Sequence, residues 1–309
     1  MDLIPLTGLH PQEYLHPFDA KALHALHSTK GVDLLIKKLY ELGLETWLKQ
    51  QFLGSSLQLM PGSFPDVWDL FEVACNTLNF KPRPQLFVQR ELGYESVTCG
   101  VENTIIVLGT DCLDKLTDGE LLFVLGREIG HIQTSHILYQ ELGQVLPVLM
   151  DAVSAATFGL GGLLSAGLQL ALVEWIQTAE YTADRAGLLA CQDITQAASA
   201  LIKIAGLPSK YDTSSAWDDF KTQAVEFQEL NKKSLLLRFS KFATQSKGWE
   251  IARANQLFNW ADSGEYKAVL ERKTALPAAS QMVVNFCPRC GAKQEQQVTF
   301  CANCGNKLR

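Results

Sequence analysis

The chain has 309 residues, of which 47% are hydrophobic and 19% charged, and its formal net charge is -6. That balance belongs to a globular protein with one sizeable core and excludes an intrinsically disordered chain. No long basic run is present, which argues against a nucleic-acid partner, because phosphate binding needs clustered Lys and Arg.

The first twenty residues, MDLIPLTGLHPQEYLHPFDA, lack a basic start followed by an apolar run. No secretory signal is read there, and a cytoplasmic location is expected. Up to about Ser63, helical patterns such as GVDLLIKKLYELGLETWLKQ alternate with turn signals, and a further helix is predicted from Asp66 to Leu78. Two β-rich runs, Leu86 to Gln89 and Thr104 to Leu108, are separated by turn-forming residues and predict a small sheet. Thr117 and Glu120 then form a capping box in front of LLFVLGREIGHI, where Leu121, Leu122, Leu125, Ile129 and Ile132 supply a buried stripe.

Residues 152 to 173 carry no charge. A transmembrane reading would need two spans, about 40 apolar residues, in the roughly 34 residues between the two chemistry-bearing helices. Packed interior helices are therefore expected, with contact of 152–173 at a membrane surface as the alternative. Amphipathic helices follow in DDFKTQAVEFQELNKK and GWEIARANQLFNWADSGEYKAVLERK, and TALPAASQMVVN reads as a linker.

Chemistry concentrates in two segments. LFVLGREIGHIQTSH, residues 122 to 136, is a His-Glu-x-x-His zinc helix with its first histidine replaced by Arg127, while Glu128 and His131 stand. A guanidinium carries no lone pair for a metal, so it brings a positive charge to a ligand position. AEYTADRAGLLA places Glu180 and Asp184 four residues apart on one helical face. Alone, that pair reads equally as a solvated acidic face paired with Arg185.

Together, ELLFVLGREIGHIQTSHILYQ and AEYTADRAGLLA resemble peptidase family M48, the zinc metalloendopeptidases that include CAAX prenyl proteases and heat-shock membrane proteases. The resemblance implies an α+β fold, predominantly α: a helical zincin-like domain with a small β-sheet. It implies His131 and Glu180 as metal ligands, Glu128 as the water-activating base and Asp184 as the carboxylate supporting a ligand imidazole. The departures bear on mechanism. With Arg127 in place, two protein ligands remain where a catalytic zinc usually has three, which puts that zinc in doubt. Family members tend to carry Asn-Ala on the edge strand where this chain has Glu95 and Ser96. A His-Pro pair precedes a downstream arginine where this chain has Lys247 and Gly248 before Arg253.

His136 is a candidate replacement ligand, but a continuous helix would turn it about 140 degrees away from His131. It is read as a surface or capping histidine at the helix end. Arg127 is expected to stand in for the zinc by bridging two of Glu128, Glu180 and Asp184.

Cys75, Cys99, Cys112 and Cys191 are scattered, whereas FCPRCGAKQEQQVTFCANCGNKLR holds two Cys-x-x-Cys knuckles separated by ten residues. Cys287, Cys290, Cys301 and Cys304 predict a closed, structural Zn2+ ribbon, with Gly291 and Gly305 at the turns. A pair of redox dithiols is the alternative. The expected organisation is a helical N-terminal lobe at 1–85, a peptidase-like domain at 86–272, a linker at 273–285 and the ribbon at 286–309.

Three readings of function stay open. The first is a pseudopeptidase that binds a peptide or partner protein. The second is an active zinc endopeptidase with a non-standard ligand set, and the third is a scaffold acting through the ribbon.

Overall fold

The structure is a computed structural model that describes residues 3–29, 32–101, 103–153, 166–211, 213–233 and 250–272. The ribbon cysteines, the linker, Lys247 with Gly248 and the centre of the apolar run at 154–165 lie outside the described residues. The helices are α1 (Pro17–Ser28), α2 (Val32–Glu41), α3 (Leu44–Ser55), α4 (Pro65–Thr77), α5 (Thr110–Lys115), α6 (Asp118–Gln133), α7 (Ile137–Val153), α8 (Ala166–Cys191), α9 (Ile194–Ile204), α10 (Thr213–Lys233), α11 (Glu250–Asp262) and α12 (Glu265–Leu270). The strands are β1 (Leu57–Leu59), β2 (Gln85–Gln89), β3 (Ser96–Cys99) and β4 (Ile105–Gly109). The fold is α+β, mostly helical with one small sheet.

Sheet order is β1-β2-β4-β3, with β2 and β4 parallel and both outer pairs antiparallel. The sequence marked β2 and β4 through their β-rich apolar runs. It missed the edge strand β1, and only the family resemblance pointed to β3, as the edge strand at Glu95 and Ser96. Ser96, Val97, Thr98 and Cys99 mix small polar and apolar residues because both faces of β3 are buried, so strict polar alternation is absent. One face of β3 carries Ser96 and Thr98 and the other Val97 and Cys99. The antiparallel register sets Ser96 opposite Leu108 and Thr98 opposite Ile106.

α6 runs through the middle of the molecule. Its start is the predicted capping box: Glu120 N donates to Thr117 Oγ1 at 3.3 Å and Thr117 N donates to Glu120 Oε2 at 2.7 Å. Lys203 Nζ on α9 also reaches Glu120, at 2.7 Å, tying the cap to the neighbouring helix. Every residue from Gly119 to His131 is buried, so the predicted apolar stripe is one side of a helix enclosed all round. Leu121, Leu122, Leu125 and Ile129 enter a core shared with α4, β4, α8, α9 and α11.

α8 packs along α6, and small residues set how closely. A Cβ on Gly126 would lie 2.4 Å from Ala190 Cβ, and one on Gly130 would lie 2.5 Å from Ala186 Cβ. Nothing larger than glycine fits without parting the helices. Gly126→Val is expected to cost about 3 kcal/mol through overpacking, read as a lower urea midpoint at unchanged slope. A midpoint equal to wild type would show that the two helices slide apart freely.

A second core joins α1, α2 and α3 to α7 and the first half of α8, around Leu26, Leu35, Leu142, Leu172 and Trp175. Trp175 is fully buried, and its Nε1 donates to Asp19 Oδ1 at 3.1 Å. Among the described residues no helix is long and apolar enough to cross a membrane. The predicted long helix after Gly248 is interrupted: α11 stops at Asp262, and Gly264, at φ 84°, starts α12.

Candidate functional site

Close packing of α6 on α8 brings Arg127, Glu128 and His131 against Glu180 and Asp184. Arg127 Nε donates to Asp184 Oδ1 at 2.9 Å, and its Nη2 donates to Glu180 Oε2. Arg253, from α11, approaches from the other side. Its Nε donates to Asp184 Oδ2 at 2.9 Å and its Nη2 to Asp184 Oδ1 at 2.7 Å, while Nη1 stands 4.0 Å from Glu180 Oε2. Two guanidinium groups and two carboxylates thus form a charge-balanced cluster, with Arg127 7%, Arg253 3%, Glu180 3% and Asp184 1% exposed. Burial works against the charge on Arg253, but Asp184 and Glu180 outweigh it and raise its pKa.

Glu180 and Asp184 therefore do not form a solvated acidic face. Arg185 turns the other way, with Cζ 4.8 Å from the Trp260 ring centroid and Nη1 donating to the carbonyls of Tyr14 and Leu15.

Glu128 points to the sheet edge. Ser96 Oγ donates to its Oε1 and Thr98 Oγ1 to its Oε2, each at 2.6 Å. Each carboxylate oxygen has a hydroxyl on it. Glu95, the neighbouring departure from the family pattern, is exposed.

His131 lies with Nε2 3.6 Å from Glu180 Oε1. Its Nδ1 is 3.0 Å from His136 Nδ1 and 3.1 Å from Gln140 Nε2. Burial depresses the His131 pKa to about 4 against the opposing pull of Glu180 and Glu128, so the imidazole is neutral at neutral pH.

The expectation for His136 is corrected. It is fully buried rather than at the surface, and it faces His131. Helical arithmetic failed because the helix ends: α6 stops at Gln133 and Ser135 takes a left-handed φ of 59° before α7 begins. That turn folds His136 back under His131. Its Nε2 lies 3.0 Å from Asp19 Oδ2, and Asp19 also accepts from Thr182 Oγ1 at 2.5 Å. Burial opposes ionisation of Asp19, but the His136 imidazole and the hydrogen bonds outweigh it and hold the carboxyl below its usual range.

A three-ligand zinc site needs three lone-pair donors converging at about 2 Å from the metal. His131 Nε2 and Glu180 Oε1 are one such pair, but the third position holds a guanidinium bonded to Glu180's other oxygen. Asp184 is taken by both arginines. Among the described residues no three His, Cys, Asp or Glu side chains are grouped to hold a metal ion. The cleft as folded does not fit a catalytic zinc.

Sequence reasoning found Arg127, Glu128, His131, Glu180 and Asp184 through the motif, and Arg253 and Ser96 through departures from the family pattern. It missed Thr98, Gln140 and Asp19. Thr98 was within reach, since it lies two residues from Ser96 on one strand face. Asp19 carried no local signal.

A central helix with the His-Glu-x-x-His spacing, a glutamate helix crossing it and an edge strand at the glutamate are the parts of a helical zincin-type metallopeptidase. The chain belongs to peptidase family M48, whose family model matches residues 77–270. A curated relative, the plastoglobule-localized metallopeptidase 48, chloroplastic, of Arabidopsis thaliana, is 28% identical over 269 residues, covering 85% of this chain and 76% of that protein. No solved structure gives a significant match.

Proposed function

We propose that this chain is a pseudopeptidase of the M48 fold: its cleft is kept as a binding surface for a peptide or partner protein, and peptide hydrolysis is lost. The observation that carries the reading is the Arg127 guanidinium, bonded to both Glu180 and Asp184 in the place of a metal ligand. The clamp of Ser96 and Thr98 on Glu128 supports it, because a general base must reach the proton it abstracts. The retained zinc belongs to the ribbon, where four thiolates, Cys287, Cys290, Cys301 and Cys304, close a tetrahedral site that leaves no open position for chemistry. Stability or partner contact is then the ribbon's role. A cytoplasmic location belongs to the same proposal, with the apolar run packed inward as its described residues Leu168 and Leu172 are, and contact of 152–173 with a membrane surface as the alternative.

Metal analysis of the purified full chain tests it. A single zinc per chain is expected, abolished by Cys287→Ser, with casein cleavage no faster than in Glu128→Gln. A second zinc that survives Cys287→Ser, together with cleavage abolished by Glu128→Gln, would establish the active endopeptidase instead.

A further inference from the structure

Away from the cleft, the turn between α8 and α9 meets α10, α11 and the start of α12 around a cavity of about 490 Å³. That volume lies in the range of small-molecule sites, and none of the cleft residues lines it. Two of its walls follow the same pattern with opposite charge. α10 presents Trp217 and, one turn on, Lys221; α11 presents Phe258 and, one turn on, Asp262. The Trp217 and Phe258 rings are 5.7 Å apart between centroids and inclined at 58°. The Lys221 ammonium lies 4.8 Å from the first ring and 5.7 Å from the second, a cation resting on aromatic faces in lieu of an anion.

The polar groups on the remaining walls are unequally free. Asp193 also lines the cavity, but its carboxylate is committed to the start of α9, accepting from Thr195 N at 2.8 Å and Gln196 N at 3.4 Å. Asp262 and Lys221 are exposed and enter no ion pair among the described residues. Tyr266 closes another wall with its ring, its hydroxyl being enclosed away from the cavity. The rim is fixed in place. Gln192 holds a left-handed φ of 52°, and its amide makes paired hydrogen bonds with the backbone of Ile4, at 2.9 and 2.7 Å.

We propose that this cavity binds a small aromatic zwitterion, of which a free aromatic amino acid is the simplest. The ring lies against Trp217 and Phe258, the ammonium meets Asp262, and Lys221 leaves the ring faces to pair with the carboxylate. A simple aromatic cation would leave Lys221 opposed, and a simple anion would leave Asp262 opposed. The site does not depend on whether the cleft is hydrolytic.

Calorimetric titration of the full chain with L-phenylalanine tests it, with phenethylamine and 3-phenylpropionate as analogues that each lack one charge. Saturable binding is expected, with both analogues about tenfold weaker or more. Lys221→Ala is expected to weaken L-phenylalanine about tenfold while leaving phenethylamine unchanged, and Asp262→Asn to weaken L-phenylalanine while leaving 3-phenylpropionate unchanged. Both exchanged side chains are exposed, so the variants keep the fold. No saturable binding of L-phenylalanine, or binding that neither exchange alters, would overturn the proposal.

Discussion

Asp184→Ala is expected to destabilise the fold by about 3–5 kcal/mol, the range for breaking a buried ion pair from one side. Asp184 is 1% exposed and accepts three hydrogen bonds, one from Arg127 and two from Arg253. Without it, both guanidinium groups stay buried with Glu180 as their shared counter-charge. An ordinary domain is stable by about 5–15 kcal/mol, so the loss is a large part of the whole. The size of the effect measures an uncompensated charge and not a net gain from the cluster, since an apolar replacement of all four groups could be neutral. Arg253→Met combined with Asp184→Ala should therefore recover part of the loss. Urea unfolding of the single and double variants reads both effects. An Asp184→Ala midpoint equal to wild type would mean that water reaches the arginines and that the cluster is not sealed.

Local chemistry in the sequence marked the parts of the site that lie within a helical turn of each other. The capping box at Thr117 and Glu120, the pair Glu180 and Asp184, and the helix holding Arg127, Glu128 and His131 all follow from spacing along one helix. The family pattern then joined the two helices, which spacing alone could not do. What stayed hidden depends on contacts across the fold or on a break in regularity. His136 illustrates the second case: one residue, Ser135, in a left-handed conformation converts a ring predicted to face outward into one that touches His131. Asp19 illustrates the first, because it reaches His136 and Thr182 from α1 across more than a hundred residues of chain. β3 did not show as a strand in its own residue pattern for a different reason, and only the family resemblance marked an edge strand there. Both of its faces are buried, so its residues report packing and hydrogen bonding to Glu128 rather than the alternation that usually marks a strand at a sheet edge.

Arg127→His is expected to add one zinc to the chain without restoring peptidase activity in proportion. The new imidazole would sit one helical turn before His131 on the same face, and removal of the guanidinium frees Glu180 Oε2, to which it is bonded. His131 already stands neutral beside Glu180 with its Nδ1 held by His136 and Gln140, and such outer contacts orient an imidazole for metal binding. Asp184 keeps Arg253 as its partner, so the exchange leaves no carboxylate bare. Three ligands then face one point, the number a catalytic zinc needs. Hydrolysis requires more, because Ser96 and Thr98 still engage both oxygens of Glu128. Adding Ser96→Ala and Thr98→Val to Arg127→His should raise casein cleavage above that of the single variant, and Glu128→Gln should remove the gain. Metal analysis carries the first half independently of activity. Under the proposed ribbon assignment, Cys287→Ser is expected to remove the ribbon zinc from every variant alike, so the extra equivalent in Arg127→His must persist in that background. If it does not appear there, Arg127 is not what keeps metal from the cleft.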